Sequence, residues 1–370
     1  MNKNKGLKAV VIGGGIHGLS SAIALAREGL NVSLLEKRSG LMEATSRATQ
    51  NRAHLGYHYP RSPETAVECI KGLEFFKKKY SESLFYVGED YYLIEKNKSK
   101  TSFEEFKNFC DEVGLPYKIK NPPSSLWNKS EIEGSFKVDE PVYNPEILKR
   151  LLEKEASELG INVRTGSKVI GLENFNGKNR VIAYEENCKG YEADIIINST
   201  YAYSNNVLKS LGLEDDMTKY LLQNTEVIVA RSKNTIPALT VMDGPFVTLL
   251  PFTDGGKDSR LFLVYDVVNS ILDQREGYFL EDERRYETNW GKMIKHGEKY
   301  FPFFRNLEYI GSLFGSRPVP IENTGDSRQT RIKSHEKKPG IYSILEGKFI
   351  SAPLIADHLV SKIKEDGFIK

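Results

Sequence analysis

Gly13, Gly15 and Gly18 are spaced as G-x-G-x-x-G, and the acid Glu36 follows them at the roughly 20-residue distance that suits a ribose-binding carboxylate. Gly13 allows a tight turn, Gly15 lets a pyrophosphate approach the backbone, and Gly18 lets the following helix pack close. Free N–H groups at the helix start favour phosphate, and the Glu36 carboxylate accepts bonds from ribose hydroxyls. An acid at position 36, where a base would be needed, disfavours a 2′-phosphorylated ribose. A second stretch, ATSRATQNRAHLGYHYPRS, carries His54 and His58 near Arg47, Arg52, Tyr57 and Tyr59. An imidazole with an ordinary pKa near 6.5 can accept a hydroxyl proton. If this stretch is extended, strand alternation puts both histidines on one face. The bland alternative is a hydrogen-bonded loop histidine.

The elements that must position these groups follow from local pattern. Lys8–Ile12 is an apolar run expected to be a buried parallel strand, and Ile16, Leu19, Ala22, Ile23 and Ala26 mark a helix stopped by Gly29. Asn31–Leu35 reads as the next strand. Pro63–Tyr80, Thr101–Val113 and Tyr143–Gly160 read as helices. Phe85–Glu95 reads as a hairpin or strand, and residues 121–140 as a boundary or excursion. Asn176-Gly177 marks a hairpin turn between two strands. Tyr191–Ser199 ends like a second buried strand. Residues 220–269 read as antiparallel strands, 276–300 as a charged helical stretch, and 311–330 as a largely polar loop. Gly340–Gly347 is a closing strand before a helix whose apolar face includes Leu354, Ile355, His358, Leu359 and Ile363.

The resulting expectation is an α/β chain, α+β overall, with a Rossmann-like cofactor domain interrupted by a second domain on a mixed or antiparallel sheet. The boundaries are 1–80, 140–205 and 311–370 for the first domain, and 81–139 and 206–310 for the second. With 52 basic and 50 acidic residues the net charge is +2, which points to neither a nucleic-acid nor a membrane partner. Cys69, Cys110 and Cys188 are too far apart for a metal signature, and no metal is expected. A polar N-terminus and the lack of a roughly 20-residue apolar run give the expectation of a cytoplasmic protein without a membrane span.

Taken together, VVIGGGIHGLSSAIALAREGLNVSLLEK, the histidine loop, PVYNPEILKRLLEKEASELGINVRTGSKV, YEADIIINSTYAYSN, FGSRPVPIENTGDSR and ILEGKFISAPLIADHLVSKI resemble the D-amino-acid oxidase-like superfamily of FAD-dependent oxidoreductases. The histidine loop looks like that of its glycine oxidases and 2-hydroxyacid dehydrogenases. Tyr201 stands where this family usually has glycine. The resemblance implies non-covalent FAD, with a histidine tether as the alternative. By position, Gly13, Gly15, Ile16, His17 and Gly18 meet the pyrophosphate, and Glu36, Lys37 and Arg38 the adenosine end. Thr45, Ser46 and Arg47 meet the phosphates and ribityl chain, Val169 the adenine, and Thr200 the segment beside it. Gly347, Lys348, Phe349, Ile350 and Ser351 precede a helix whose N-terminus stabilises anionic reduced flavin.

The same resemblance makes Arg317 the carboxylate anchor, with Glu322 or Asp326 as the ion-pair alternative, and Arg328 a second candidate. It sets His54 or His58 beside the flavin, and Arg52, Tyr57, Tyr59, Phe246, Thr248 and Tyr265 around the substrate. The implied reaction is oxidation of a C–N bond of a small anionic amine or amino acid by hydride transfer to flavin N5. The acceptor that reoxidises it is oxygen or another group. A 2-hydroxyacid, or a sugar nucleotide or modified sugar, is the alternative substrate. A FAD-binding protein without turnover is the remote one.

Overall fold

The computed structural model describes residues 4–244, 247–252, 260–281, 286–321, 330–345 and 348–370. Phe246, Arg328, Glu322, Asp326 and Gly347 lie outside these described residues.

The continuous apolar runs Lys8–Ile12, Asn31–Leu35 and Ile195–Asn198 form the middle of a six-stranded sheet. Its order is Arg331–Ser334, Ile341–Leu345, Ile195–Asn198, Lys8–Ile12, Asn31–Leu35 and Asn162–Arg164. All neighbours are parallel except the edge pair Arg331–Ser334 and Ile341–Leu345. Strands buried on both faces must be apolar throughout, which is why the runs lack alternation. Helices Ile16–Arg27, Pro145–Glu158 and Ala352–Glu365 cover one face and share a core with it. Pro145 sits at the first turn behind Asn144, whose side chain accepts from two backbone N–H groups. His358 is exposed on the last helix, off the apolar face expected for it.

The second large sheet runs Ile271–Gly277, Tyr220–Arg231, Leu261–Asp266, Val247–Pro251, Ala238–Met242, Asp90–Glu95, Ile132–Val138 and Lys118–Ile119. Strand Glu308–Pro320 adds to Tyr220–Arg231. The pairing is antiparallel apart from Asp90–Glu95 with Ala238–Met242, so the sheet is mixed. A smaller antiparallel sheet holds the Asn176-Gly177 hairpin, both turn residues having positive φ.

Some expectations need correction. Leu84–Tyr86 and Asp90–Glu95 are no hairpin: the first pairs with Pro141–Tyr143 and the second joins the large sheet. The excursion 121–140 contains the strand Ile132–Val138. Among the described residues of the charged stretch 276–300, Trp290–Tyr300 alone is α-helix. The polar loop expected from residue 311 is, up to Pro320, part of a 13-residue strand. Strand Glu308–Pro320 also runs through the expected domain boundary at 310/311. No helix among the described residues is long and apolar enough to cross a membrane.

Candidate active site

Gly13 turns with φ +104 and donates its N–H to the Leu35 carbonyl at 2.8 Å. Gly18 lies directly beneath, where an added Cβ would stand 1.8 Å from the Gly13 carbonyl oxygen. The helix opens at Ile16 with Gly15 as a cap that offers no side chain, so its positive end faces the space ahead of it. Ser46 Oγ accepts from the Ile16 N–H at 3.2 Å. Glu36 braces this turn. Its Oε2 accepts from Gly14 N–H at 2.6 Å and its Oε1 from Arg38 N–H at 2.8 Å. A carboxylate has acceptor sites left after two such bonds.

These groups open on a cavity of about 830 Å³, within the range of cofactor sites. Its wall includes Gly13, Gly15, Ile16, His17, Glu36, Lys37, Arg38, Thr45, Ser46, Val169, Thr200 and Phe349, all sequence candidates. It also includes Tyr201, Tyr203, Phe314 and Ser316, which sequence reasoning did not place there. The Lys37 ammonium sits 3.3 Å from the Tyr203 ring centroid. The loop after Glu36 bridges the two large sheets. Met42 N–H donates to Gly14 O at 2.9 Å, Thr45 Oγ1 to Ser316 O at 2.9 Å, and Ala53 N–H to Pro141 O at 2.9 Å. Arg47, expected at the phosphates, is not among the residues lining the cavity: its side chain is more than half exposed and its guanidinium is 3.9 Å from Glu146. Ile350 is core, and Ser351 Oγ donates to the Lys348 carbonyl at 3.1 Å.

Tyr201 adopts φ +52. A tyrosine thus occupies the left-handed region that favours glycine. An L side chain there costs roughly 1–2 kcal/mol, offset here by ring packing beside Ala202, Tyr220, Leu222 and Leu280. Tyr201→Gly and Tyr201→Ala lose the same ring, so they differ mainly in backbone strain. Denaturant titration should find the glycine variant more stable than the alanine variant by about 1 kcal/mol, after glycine's own entropy cost.

Behind the Phe349 end of the wall lies a second cluster. His17 Nε2–H donates to the Lys348 carbonyl at 3.1 Å, and burial lowers the His17 pKa to about 4. The Lys348 ammonium donates to the Tyr59 hydroxyl. Phe349 stacks on Tyr143 at 4.1 Å, and the Tyr143 hydroxyl meets Thr49 Oγ1 at 2.6 Å. Beyond Tyr59 the rings of His54 and His58 meet edge to face, with centroids 4.9 Å apart. The segment is a series of turns and no strand, so their approach comes from chain reversal and not from alternation. Neither histidine is on the cavity wall itself.

Arg52 does not contact substrate space. Its side chain is 1% exposed and lies between Asp90 at 3.2 Å and Glu140 at 2.5 Å. It also reaches the Tyr92 hydroxyl at 2.9 Å and Thr240 Oγ1 at 2.7 Å. Tyr57 is likewise a core residue, packed on Tyr92 and donating to the Pro116 carbonyl. Thr248 is buried inside the large sheet opposite Tyr265. Arg317, on the strand at the cavity's far wall, donates to Gln223 Oε1 at 2.6 Å and Tyr265 Oη at 3.0 Å. Both of these described partners are neutral. Tyr92, Asp90 and Glu140 were missed; the hint available was a charged residue opening the aromatic run DYYLIE.

His54, His58 and Glu140 each bring one ligand-type atom within 4.8 Å of the others. Both Glu140 oxygens already accept bonds, Oε1 from Leu55 N–H at 2.5 Å and Oε2 from Arg52 and Tyr92. With a guanidinium at 2.5 Å, this is a hydrogen-bonded network and a poor cation site. One guanidinium serves two carboxylates, and burial raises the Asp90 pKa from 3.8 to about 7, with Arg52 opposing and Glu140 adding to the rise. Between those values the folded chain holds a proton that the unfolded chain has lost, so stability falls as pH rises through that window. Denaturation midpoints measured across it should decline for the wild type and flatten for Asp90→Asn.

The sequence matches the DAO family, FAD dependent oxidoreductase, over residues 8–361. The chain belongs to this family. A DAO-family chain is a FAD-dependent enzyme, and the glycine cradle, the helix start behind Gly15 and the braced Glu36 fit that cofactor. FAD-dependent monooxygenase kojA of Aspergillus flavus is 24% identical over 378 residues, covering 97% of this chain and 86% of that protein. The structure of L-proline dehydrogenase from P. horikoshii superposes with a TM-score of 0.76 at 18% identity, over 98% of this chain and 94% of that one. L-alpha-glycerophosphate oxidase from Mycoplasma pneumoniae with FAD bound gives 0.75 at 17% identity, over 96% and 94%. These members of similar fold have names that point to both C–N and C–O substrates.

Proposed function

We propose that this DAO-family oxidoreductase oxidises a carbinol carbon of a small anionic substrate to the carbonyl. The observation that carries this reading is the His54–His58 pair beside Tyr59 and Lys348. An amine bound as its free base needs no proton acceptor for loss of hydride, whereas a hydroxyl must also shed a proton. FAD, when bound, supplies the two-electron acceptor for the substrate's hydride. Gly13, Gly15, Ser46 and the helix start would hold its phosphates, and Glu36 its ribose. Lys348 and Arg317 supply positive charge for the substrate's anionic group. The imidazole pair, half-buried behind the Phe349 end of the wall, takes the hydroxyl proton, and the packed rings exclude water.

The expected amine or amino-acid substrate becomes the second reading, favoured by the Arg317 fork, which suits a carboxylate. Anaerobic mixing with a panel of 2-hydroxyacids, phosphorylated polyols, sugar nucleotides and amino acids decides between them. Bleaching of the oxidised flavin by hydroxylated compounds supports the proposal; bleaching by amines alone rejects it. Arg317→Ala should raise KM for the active compound roughly 10–100-fold, the loss of a charged hydrogen bond, while retaining FAD. An unchanged KM would remove Arg317 from the substrate site.

A further inference from the structure

The Tyr92 hydroxyl has three polar neighbours and one proton. Arg52 NH1 lies at 2.9 Å, Glu140 Oε2 at 2.6 Å and His58 Nδ1 at 2.6 Å. A guanidinium only donates and a carboxylate only accepts. Two oxygens at 2.6 Å need a proton between them, so the Tyr92 proton is given to Glu140. The Tyr92 oxygen then accepts from Arg52, and His58 must meet it with a proton of its own on Nδ1. We infer that Tyr92, backed by Glu140 and Arg52, locks His58 as the Nδ1–H tautomer and so makes its Nε2 lone pair the proton acceptor of the site.

The inference rests on the carbinol reading for its chemistry and on hydrogen-bond counting for its geometry. In the step it serves, the substrate O–H bond breaks and its proton goes to His58 Nε2. The C–H electron pair leaves as hydride to the FAD, and the C=O bond forms from the O–H pair. Tyr92 and Glu140 are positioning residues, because they act on substrate only through His58.

The surroundings suit that role. His58 is faced by Arg52, His54 and Lys348, and by Tyr59, Tyr92 and, through Tyr92, Glu140, while Asp90 is held behind Arg52. Burial first, then Arg52, His54 and Lys348, hold its pKa well below 6.5, so the ring is neutral at rest. Once protonated, its charge is answered through Tyr92 by the Glu140 carboxylate. Arg52 holds that carboxylate in place from the other side at 2.5 Å. The four groups come from the histidine loop, strand Asp90–Glu95 and the residue before Pro141. The arrangement therefore exists only in the assembled fold.

The holoenzyme labelled with 15N-histidine tests this without any substrate. Two-bond nitrogen–proton correlations separate the two neutral tautomers, and comparison with His58→Gln assigns the His58 signals. The expected pattern is Nδ1 protonated in the wild type, shifting toward Nε2 protonated in Tyr92→Phe. A wild-type His58 protonated on Nε2 overturns the inference. With an active hydroxylated compound, Tyr92→Phe should also reduce the flavin roughly 10–100-fold more slowly at unchanged KM and FAD content. An unchanged rate would equally overturn the role. If no hydroxylated compound reduces the wild-type flavin, the carbinol reading fails, and the tautomer measurement still decides the geometry.

Discussion

Arg52→Ala should lower the stability of the folded enzyme by about 3–5 kcal/mol, one of the largest effects available from a single side chain here. The reason is what the arginine leaves behind. Asp90 and Glu140 are at most 2% exposed, and both take their positive partner from this one guanidinium. Without it, Glu140 is left as a buried carboxylate with no countercharge, Asp90, whose pKa already stands at about 7, is driven to its neutral acid, and the hydroxyls of Tyr92 and Thr240 each lose a donor. Denaturant titration of wild type and variant at neutral pH measures the difference. Replacing Arg52, Asp90 and Glu140 together by apolar residues of similar size should recover most of it, because then no charge is stranded. A loss below about 1 kcal/mol for Arg52→Ala would mean that the network is solvated in solution.

Gly18→Ala should strip the enzyme of its FAD. The added methyl would lie 1.8 Å from the Gly13 oxygen and 2.9 Å from the Gly13 carbonyl carbon. Both are backbone atoms, so relief requires moving the phosphate turn or the helix that faces it. Overpacking of this kind costs roughly 1–3 kcal/mol in stability. The displaced N–H groups should weaken FAD by about 100-fold or more, near 2.7 kcal/mol. Titration of the apoprotein with FAD, followed by flavin fluorescence, reads the affinity. Gly291→Ala provides the contrast: its methyl meets nothing within 4 Å, and it lies on helix Trp290–Tyr300, away from the glycine turn. Gly291→Ala should therefore keep its FAD. Equal loss in both variants would show that crowding at Gly18 is not the cause.

Much of the nucleotide-facing half was legible because its signals are local. Strand, glycine turn, helix and Glu36 fall within one short stretch, and each residue type reports on its own backbone. Strand Glu308–Pro320 was read partly as loop because Pro318 and Pro320, with Gly311 and Gly315, break the usual pattern. Those prolines are tolerated on a strand added at the side of Tyr220–Arg231, which the residues do not announce. The Arg52 network was illegible for another reason. Its bonds join residues 38, 48 and 88 positions apart, and no spacing rule reaches that far. Arg52 and Tyr57 have types suited to a substrate pocket; only burial shows that they serve the core. The meeting of His54 and His58 was foreseen, but through an alternation that the turns do not provide.

The cavity wall draws on strand and helix ends of the parallel sheet and also on Phe314 and Ser316 of the mixed sheet. A single molecule that filled it would touch both halves of the chain, and its binding energy would count toward their assembly. In a flavin-starved cell the newly made chain lacks that contribution, and its steady-state abundance should fall through proteolysis before any catalytic shortage is felt.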